Sequence, residues 1–163
     1  QVRRGVYSLG KRFQRQPLNL FELAQKVYPL SYIGLESALA YHGWIPEAAY
    51  TVTSVCVKRS ASFETPVGLF SFTRLARFNF IGVDRVKEGN TIFLMSGPTK
   101  ALVDFVLAHK IDVKDPIQLL ESLRIDREYY RQVDSRQLLE ISDAYKSARV
   151  TKFVKSLRQS TGL

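Results

Sequence analysis

An aspartate and a lysine three residues apart, Asp84 and Lys87, come nearest to a catalytic pattern in this sequence. With a neighbouring acid they are pieces of a metal-dependent nuclease, which needs two or three carboxylates and a lysine on adjacent strands around its ions. The same two residues also fit an ordinary polar loop. The other reactive side chains are sparse. His42 and His109 stand 67 residues apart, and one cysteine, Cys56, accompanies them. That is a poor metal set and leaves no intramolecular disulfide. Cys56 lies in a β-branched run, where a small buried hydrophobe is the ordinary reading. His42 falls on the apolar side of a helical pattern, as a core or boundary histidine does. The nine glycines are scattered and form no phosphate-binding loop, and there is no nucleophile elbow. These residues imply a protein without catalytic residues, cofactor or metal.

The basic residues are more informative. The chain has 163 residues, a net charge of +9 and 45% apolar content, enough for a buried core. Ten of its 24 basic residues lie in residues 1–15 and 145–163, where none of the 15 acids lies. The rest of the chain is close to neutral, so the excess sits at the two ends. Such asymmetry is the footprint of a polyanion partner, or of ends that are merely solvated. Lys58 and Arg59 follow a strand directly. A basic pair there either meets a phosphate or an acidic partner, or keeps a strand edge soluble. Tyr129 and Tyr130 beside Arg127 and Arg131 read as a half-buried pair on a helix, with a stacking or interface patch as the alternative.

The elements that position these residues follow from periodicity. Arg3–Leu9 reads as a short strand. Asn19–Tyr28 reads as a helix with Asn19 as N-cap, Glu22 three residues on and Pro29 as its stop. Leu35–His42 reads as a second helix closed by Gly43. Thr51–Val57 reads as a central strand, and Glu64–Gly68 as a turn. Strands are expected at Leu69–Leu75, Asn79–Val83 and Thr91–Ser96, the last preceded by Gly89-Asn90. Their short connections predict an antiparallel meander. Pro98, Ala101, Leu102, Phe105, Val106 and His109 mark one face of a helix that should pack on the sheet. Lys100 and Asp104, four apart, read as a surface pair on the neighbouring face. Asp115-Pro116 opens a further helix, Asp126 and Asp134 are caps, and a last helix is expected over Ser135–Leu157. The fold class is therefore α+β: a small antiparallel meander packed against helices, with a helical C-terminal region. No apolar run nears the ~20 residues of a membrane helix. The single thiol, with no disulfide framework, fits a cytoplasmic protein.

The runs GLESALAYHGWIPE, YTVTSV, KR, ETPVGLFSF and PTKALVD, in that order over about residues 3–110, resemble the AbiE-type (AbiEi) antitoxins of bacterial type IV toxin–antitoxin systems. Thr99 stands where members of that family usually carry glutamate. The resemblance implies a winged-helix DNA-binding module ahead of an α+β antitoxin domain. On that reading residues 1–16 are a basic strand and linker, the remnant of the wing. Residues 17–112 form the antitoxin core and 113–163 a helical region. The chain begins with Gln1 and would then lack the DNA-reading helix.

The function this resemblance implies is an antitoxin and transcriptional regulator of an abortive-infection system. It would repress its own operon and counteract a nucleotidyltransferase-like toxin without a stable complex. DNA-phosphate contacts are expected from Arg3, Arg4, Lys11, Arg12 and Arg15, from Lys58 and Arg59, and from Lys146, Arg149, Lys152, Lys155 and Arg158. Phosphate contacts of this kind set affinity and register rather than sequence choice. A protein–protein module whose basic ends meet an acidic partner is the second reading. Free sheet edges or helices would allow a homodimer.

Overall fold

The computed structural model describes residues 18–46 and 50–162, so the expected strand Arg3–Leu9 lies outside the described residues. Among them the fold is α+β. One six-stranded sheet carries helices on it, and four further helices complete the C-terminal region. No helix there is long and apolar enough to cross a membrane.

Helix α1 (Leu20–Val27) starts as its cap demands. Asn19 Oδ1 accepts from the amides of Phe21 and Glu22 at 2.9 and 3.1 Å. Glu22 turns forward to Lys26 at 2.8 Å. After Pro29 the chain enters β1 (Ser31–Ile33), a fully buried strand of three residues. Three residues are too few for a period to show, so sequence patterning passed over β1. Helix α2 (Leu35–Tyr41) ends in a Schellman motif. Gly43, at φ +74°, donates to Ala40 O, and Trp44 donates to Leu39 O.

The remaining strands are β2 (Thr51–Cys56), β3 (Ala61–Thr65), β4 (Gly68–Arg74), β5 (Val83–Glu88) and β6 (Thr91–Ser96). Their order is β3-β4-β2-β1-β6-β5. This is not the expected meander. β2 is central as predicted, but its neighbour β4 runs parallel to it, in register from Thr51↔Leu69 to Cys56↔Arg74. The short connection carries an extra strand. β3 runs back outside, and β4 then inserts between β3 and β2, pairing antiparallel with β3 from Ala61↔Phe72 to Thr65↔Gly68. β3 alternates half-buried Ala61, Phe63 and Thr65 with exposed Ser62 and Glu64. That period of two was legible, but its polar members disguised it. The strand expected at Asn79–Val83 is a loop over residues 75–82, and β5 begins where that expectation ended. β5 forms an edge and is polar (VDRVKE), as an exposed edge should be.

Helix α3 (Pro98–Ala108) is the centre of the molecule. Thr99 through Val106 are all buried, because the sheet and α2 cover one side and the C-terminal helices cover the other. His109, expected on the sheet-facing stripe, instead lies exposed with Nε2 2.9 Å from Glu36 Oε1. The larger correction concerns Lys100 and Asp104. They are not a surface pair: both side chains are 0% exposed, 3.1 Å apart. Asp104 also accepts hydrogen bonds from Tyr32 of β1 at 2.6 Å and Tyr145 at 2.5 Å. Lys100 Nζ donates to Tyr145 Oη at 2.5 Å and to Asn79 Oδ1 at 3.3 Å. Gly82, at φ +72°, passes so close that a Cβ there would meet Lys100 Cβ at 3.1 Å.

Helices α4 (Pro116–Ser122), α5 (Arg127–Arg131), α6 (Ser135–Tyr145) and α7 (Ala148–Thr161) follow. Asp115 and Asp134 cap α4 and α6 through their side chains, whereas Asp126 sits at the N-cap of α5 without a side-chain bond. The single helix expected over Ser135–Leu157 breaks at Lys146, which adopts φ +45°. The break lets two apolar stripes meet: Leu138, Ile141 and Tyr145 on α6, and Val150, Phe153, Val154 and Leu157 on α7. One straight helix would leave part of that surface in water.

Burial raises the pKa of Tyr32 and Tyr145, and the adjacent Asp104 carboxylate raises it further. A phenol whose folded pKa lies above its unfolded value stabilises the fold below about pH 10 and loses that contribution as pH rises. We predict a stability decline above pH 10 of about 1.4 kcal/mol per pH unit for each of the two phenols. Urea denaturation from pH 9 to 11.5 checks this, and Tyr32→Phe and Tyr145→Phe should each flatten the slope. Asp104→Ala strips the acceptor from three buried donors and should cost about 3–5 kcal/mol. Lys100→Met leaves Asp104 with both phenols and should cost less. Equal stability of the Asp104 variant and the parent would contradict this account.

Candidate polyanion-binding site

Parallel pairing of β2 and β4 sets their carboxyl ends side by side, with Cys56 opposite Arg74. Beyond those ends lies an open concavity of about 590 Å³, lined by Tyr28, Val57, Lys58, Arg59 and Arg74. Its floor is fixed. The Tyr28 ring stacks on Phe72 at 4.7 Å, and the Tyr28 hydroxyl donates to Arg59 O at 2.6 Å. The Cys56 thiol lies 3.8 and 3.7 Å from the carbonyl oxygens of Lys58 and Arg59. The Arg59 carbonyl is thereby occupied from the protein side. Ser60 Oγ accepts from the Arg74 amide at 2.9 Å, which pins the loop beside the end of β4. The three cationic side chains are exposed, and none forms an ion pair with another described residue.

Lys58 and Arg59 were legible in the sequence. Arg74 was not, because only the parallel register puts the last residue of GLFSFTR beside the end of β2. The topology also bears on what the pair does. β2 is flanked by β1 and β4, so Lys58 and Arg59 follow an interior strand and lead into β3, the edge of the sheet.

The C-terminal cations are spread differently. Lys146 occupies the turn between α6 and α7 and is exposed. Lys152 is paired with Asp112 at 3.0 Å. That contact, helped by the charges of Lys152, Arg149 and Lys114, holds the Asp112 carboxyl below its usual range. Lys155 and Arg158 line a groove of about 470 Å³ between α6 and α7, with Leu139, Asp143 and Val154 among its walls. Arg158 Nε is buried there without a hydrogen-bond partner. Arg3, Arg4, Lys11, Arg12 and Arg15 lie outside the described residues.

The other candidates do not converge. Asp84 and Lys87 are three apart on β5, opposite Met95 and Ile92, so the pleat sends them to opposite faces. His42 Nε2 lies 3.0 Å from Ser96 O, an acceptor that takes a ring proton. No group of three or more His, Cys, Asp or Glu side chains that could hold a metal ion occurs among the described residues. Tyr130 is buried, and Tyr129 stacks on Trp44 at 6.1 Å, as a helical packing pair.

No family model matches this chain, and no curated protein matches it significantly.

Burial pushes the Cys56 thiol up in pKa, while Tyr28, the Lys58 backbone and the Arg74 charge pull it partly back. Native protein at pH 8 should react with a thiol reagent at least about tenfold more slowly than after unfolding in urea. Arg74→Gln should slow the native reaction further. Prompt native labelling would show that the loop at 57–60 does not seal the thiol.

Proposed function

We propose that this chain is a non-enzymatic antitoxin and transcriptional-regulator domain of the AbiE type, a cytoplasmic partner of DNA. On this reading it counteracts a nucleotidyltransferase-like toxin and supports repression of its own operon. The order of the resembling motifs supports the family. The observation that carries DNA contact is the un-neutralised set Lys58, Arg59 and Arg74 at the ends of two interior strands. A fold gains nothing from crowding like charges there, whereas a phosphate backbone supplies the missing counter-charge. Lys146, Arg149, Lys155 and Arg158 add positive potential on the C-terminal helices, while Lys152 is already matched by Asp112.

A second reading draws on the groove between α6 and α7. Exposed Leu139 beside Lys155 and Arg158 suits an acidic, partly apolar protein segment. On that reading the chain is a protein-interaction module.

Fluorescence anisotropy with the operon's promoter at two salt concentrations separates the two. The chain alone should bind weakly and without sequence preference, and its affinity should fall steeply with salt. The slope of log K against log salt should shrink by about 0.9 for each phosphate that Lys58→Gln or Arg59→Gln leaves without its cation. A form extended by any coding sequence found ahead of Gln1 in the gene should prefer the operon's promoter. Absence of DNA binding in both forms, with an acidic protein binding instead, would favour the interaction module. Co-expression should relieve toxin-induced growth arrest without co-elution of the two proteins on gel filtration.

A further inference from the structure

We propose that the concavity formed by Tyr28, Val57, Lys58, Arg59 and Arg74 is a binding site for the phosphates of a nucleoside polyphosphate. The proposal rests on reading this surface as polyanion-binding and goes further by naming a small ligand.

Shape is the first ground. A phosphate chain, in a nucleic acid or in a small ligand, is neutralised by several cations within reach of one another. Here three cations surround one concavity of about 590 Å³. The concavity is open to solvent and has room for a phosphate chain between the three cations. Position is the second ground. Parallel pairing brings the residues that follow the carboxyl ends of both strands to one end of the sheet. β2 and β4 form such a pair, with Cys56 opposite Arg74, so Lys58 and Arg59 follow β2 at the end where Arg74 closes β4.

Electrostatics is the third ground. Loop carbonyls would repel phosphate, and that of Arg59 is engaged by the Tyr28 hydroxyl, with the single weak S–H of Cys56 shared between Lys58 O and Arg59 O. No described carboxylate is ion-paired with the three cations. A polyphosphate carries enough negative charge to match them together, and arginine suits it by its forked donors. Apolar Val57, 41% exposed, offers a wall to the nucleoside part. Rigidity is the fourth. Arg74 ends a strand paired on both sides, and Tyr28 is fixed by its stack on Phe72, so the frame of the site is fixed while its three cationic side chains are exposed and form no ion pair among the described residues.

The test is anisotropy of a fluorescent nucleoside triphosphate titrated with the protein. Competition by unlabelled triphosphate, inorganic phosphate and the bare nucleoside follows, and promoter DNA binding is measured on the same samples. The triphosphate should compete, phosphate should compete more weakly, and the nucleoside should not compete. Arg74→Gln should weaken triphosphate binding about tenfold or more. Arg136→Gln, the same charge change on the exposed face of α6, should leave it unchanged. Thermal melting confirms that both variants are folded. Equal losses in the two variants would mean diffuse charge attraction and overturn the proposal. DNA binding that depends on Arg74, with no competition by triphosphate, would also overturn it while leaving the regulator reading intact. Failure to bind either ligand would remove both readings.

Discussion

A lysine and an aspartate buried together on α3 hold the two parts of this protein to each other. Taking two charges out of water is costly, and their mutual attraction offsets that cost only when the remaining hydrogen-bond capacity is filled. Here it is filled from every side. Tyr32 comes from the middle of the sheet, Tyr145 from the last turn of α6, and Asn79 from the 75–82 loop. Each donor or acceptor belongs to a different element, so the cluster forms only when sheet, loop and C-terminal helices are all in place. Phe78 and Phe80 pack against the Tyr32 ring at 5.3 and 6.0 Å and close the loop over the cluster. Hydrophobic contact alone would permit α6 to slide on α3. A network with fixed hydrogen-bond geometry favours one seating.

The positioning of the candidate site depends on a second constraint, the insertion of β4 between β2 and β3. Had the strands formed a simple meander, β2 and its neighbour would point in opposite directions. Arg74 would then lie at the far end of the sheet from Lys58 and Arg59. Parallel pairing is what collects the three cations. Helix α1 completes the site by ending at the same edge, where Tyr28 leaves the helix and stacks on Phe72. The site is thus built by sheet topology on rigid elements.

Helix positions were legible in the sequence wherever a cap and a stripe agreed. Asn19, Gly43, Asp115 and Asp134 marked their boundaries because each cap satisfies backbone groups by local chemistry. The central strand β2 announced itself by its run of β-branched, small to medium residues. Three things escaped, for three different reasons. Strand pairing is a long-range property, so neither β1 nor the parallel β2–β4 register left a local mark. The Lys100–Asp104 pair follows the spacing of a surface ion pair, and its burial depends on Tyr145, which lies 41 residues beyond Asp104. The break at Lys146 occurs without glycine or proline, because tertiary packing of α7 against α6 overrides a continuous helical pattern. Within the candidate site, Lys58 and Arg59 were visible as residues, while Arg74 awaited the register.

The junction of β1 with β6 has a mechanical meaning. These strands share a single register pair, Ile33↔Met95, whereas every other neighbouring pair of strands shares at least three. Just beyond that pairing, the Gln25 side chain takes over from a strand. Its amide donates to Leu94 O at 2.8 Å and accepts from Leu94 N at 3.1 Å. Asn19 adds a second tie from the same helix, to Glu88 and Thr91 of the β5–β6 hairpin. The sheet is therefore two stiff plates, β3-β4-β2-β1 and β6-β5, riveted along a seam by the side chains of α1. With Ser96 Oγ to Ile33 O as a direct side-chain tie across the seam, this short helix is the strap that spans the joint.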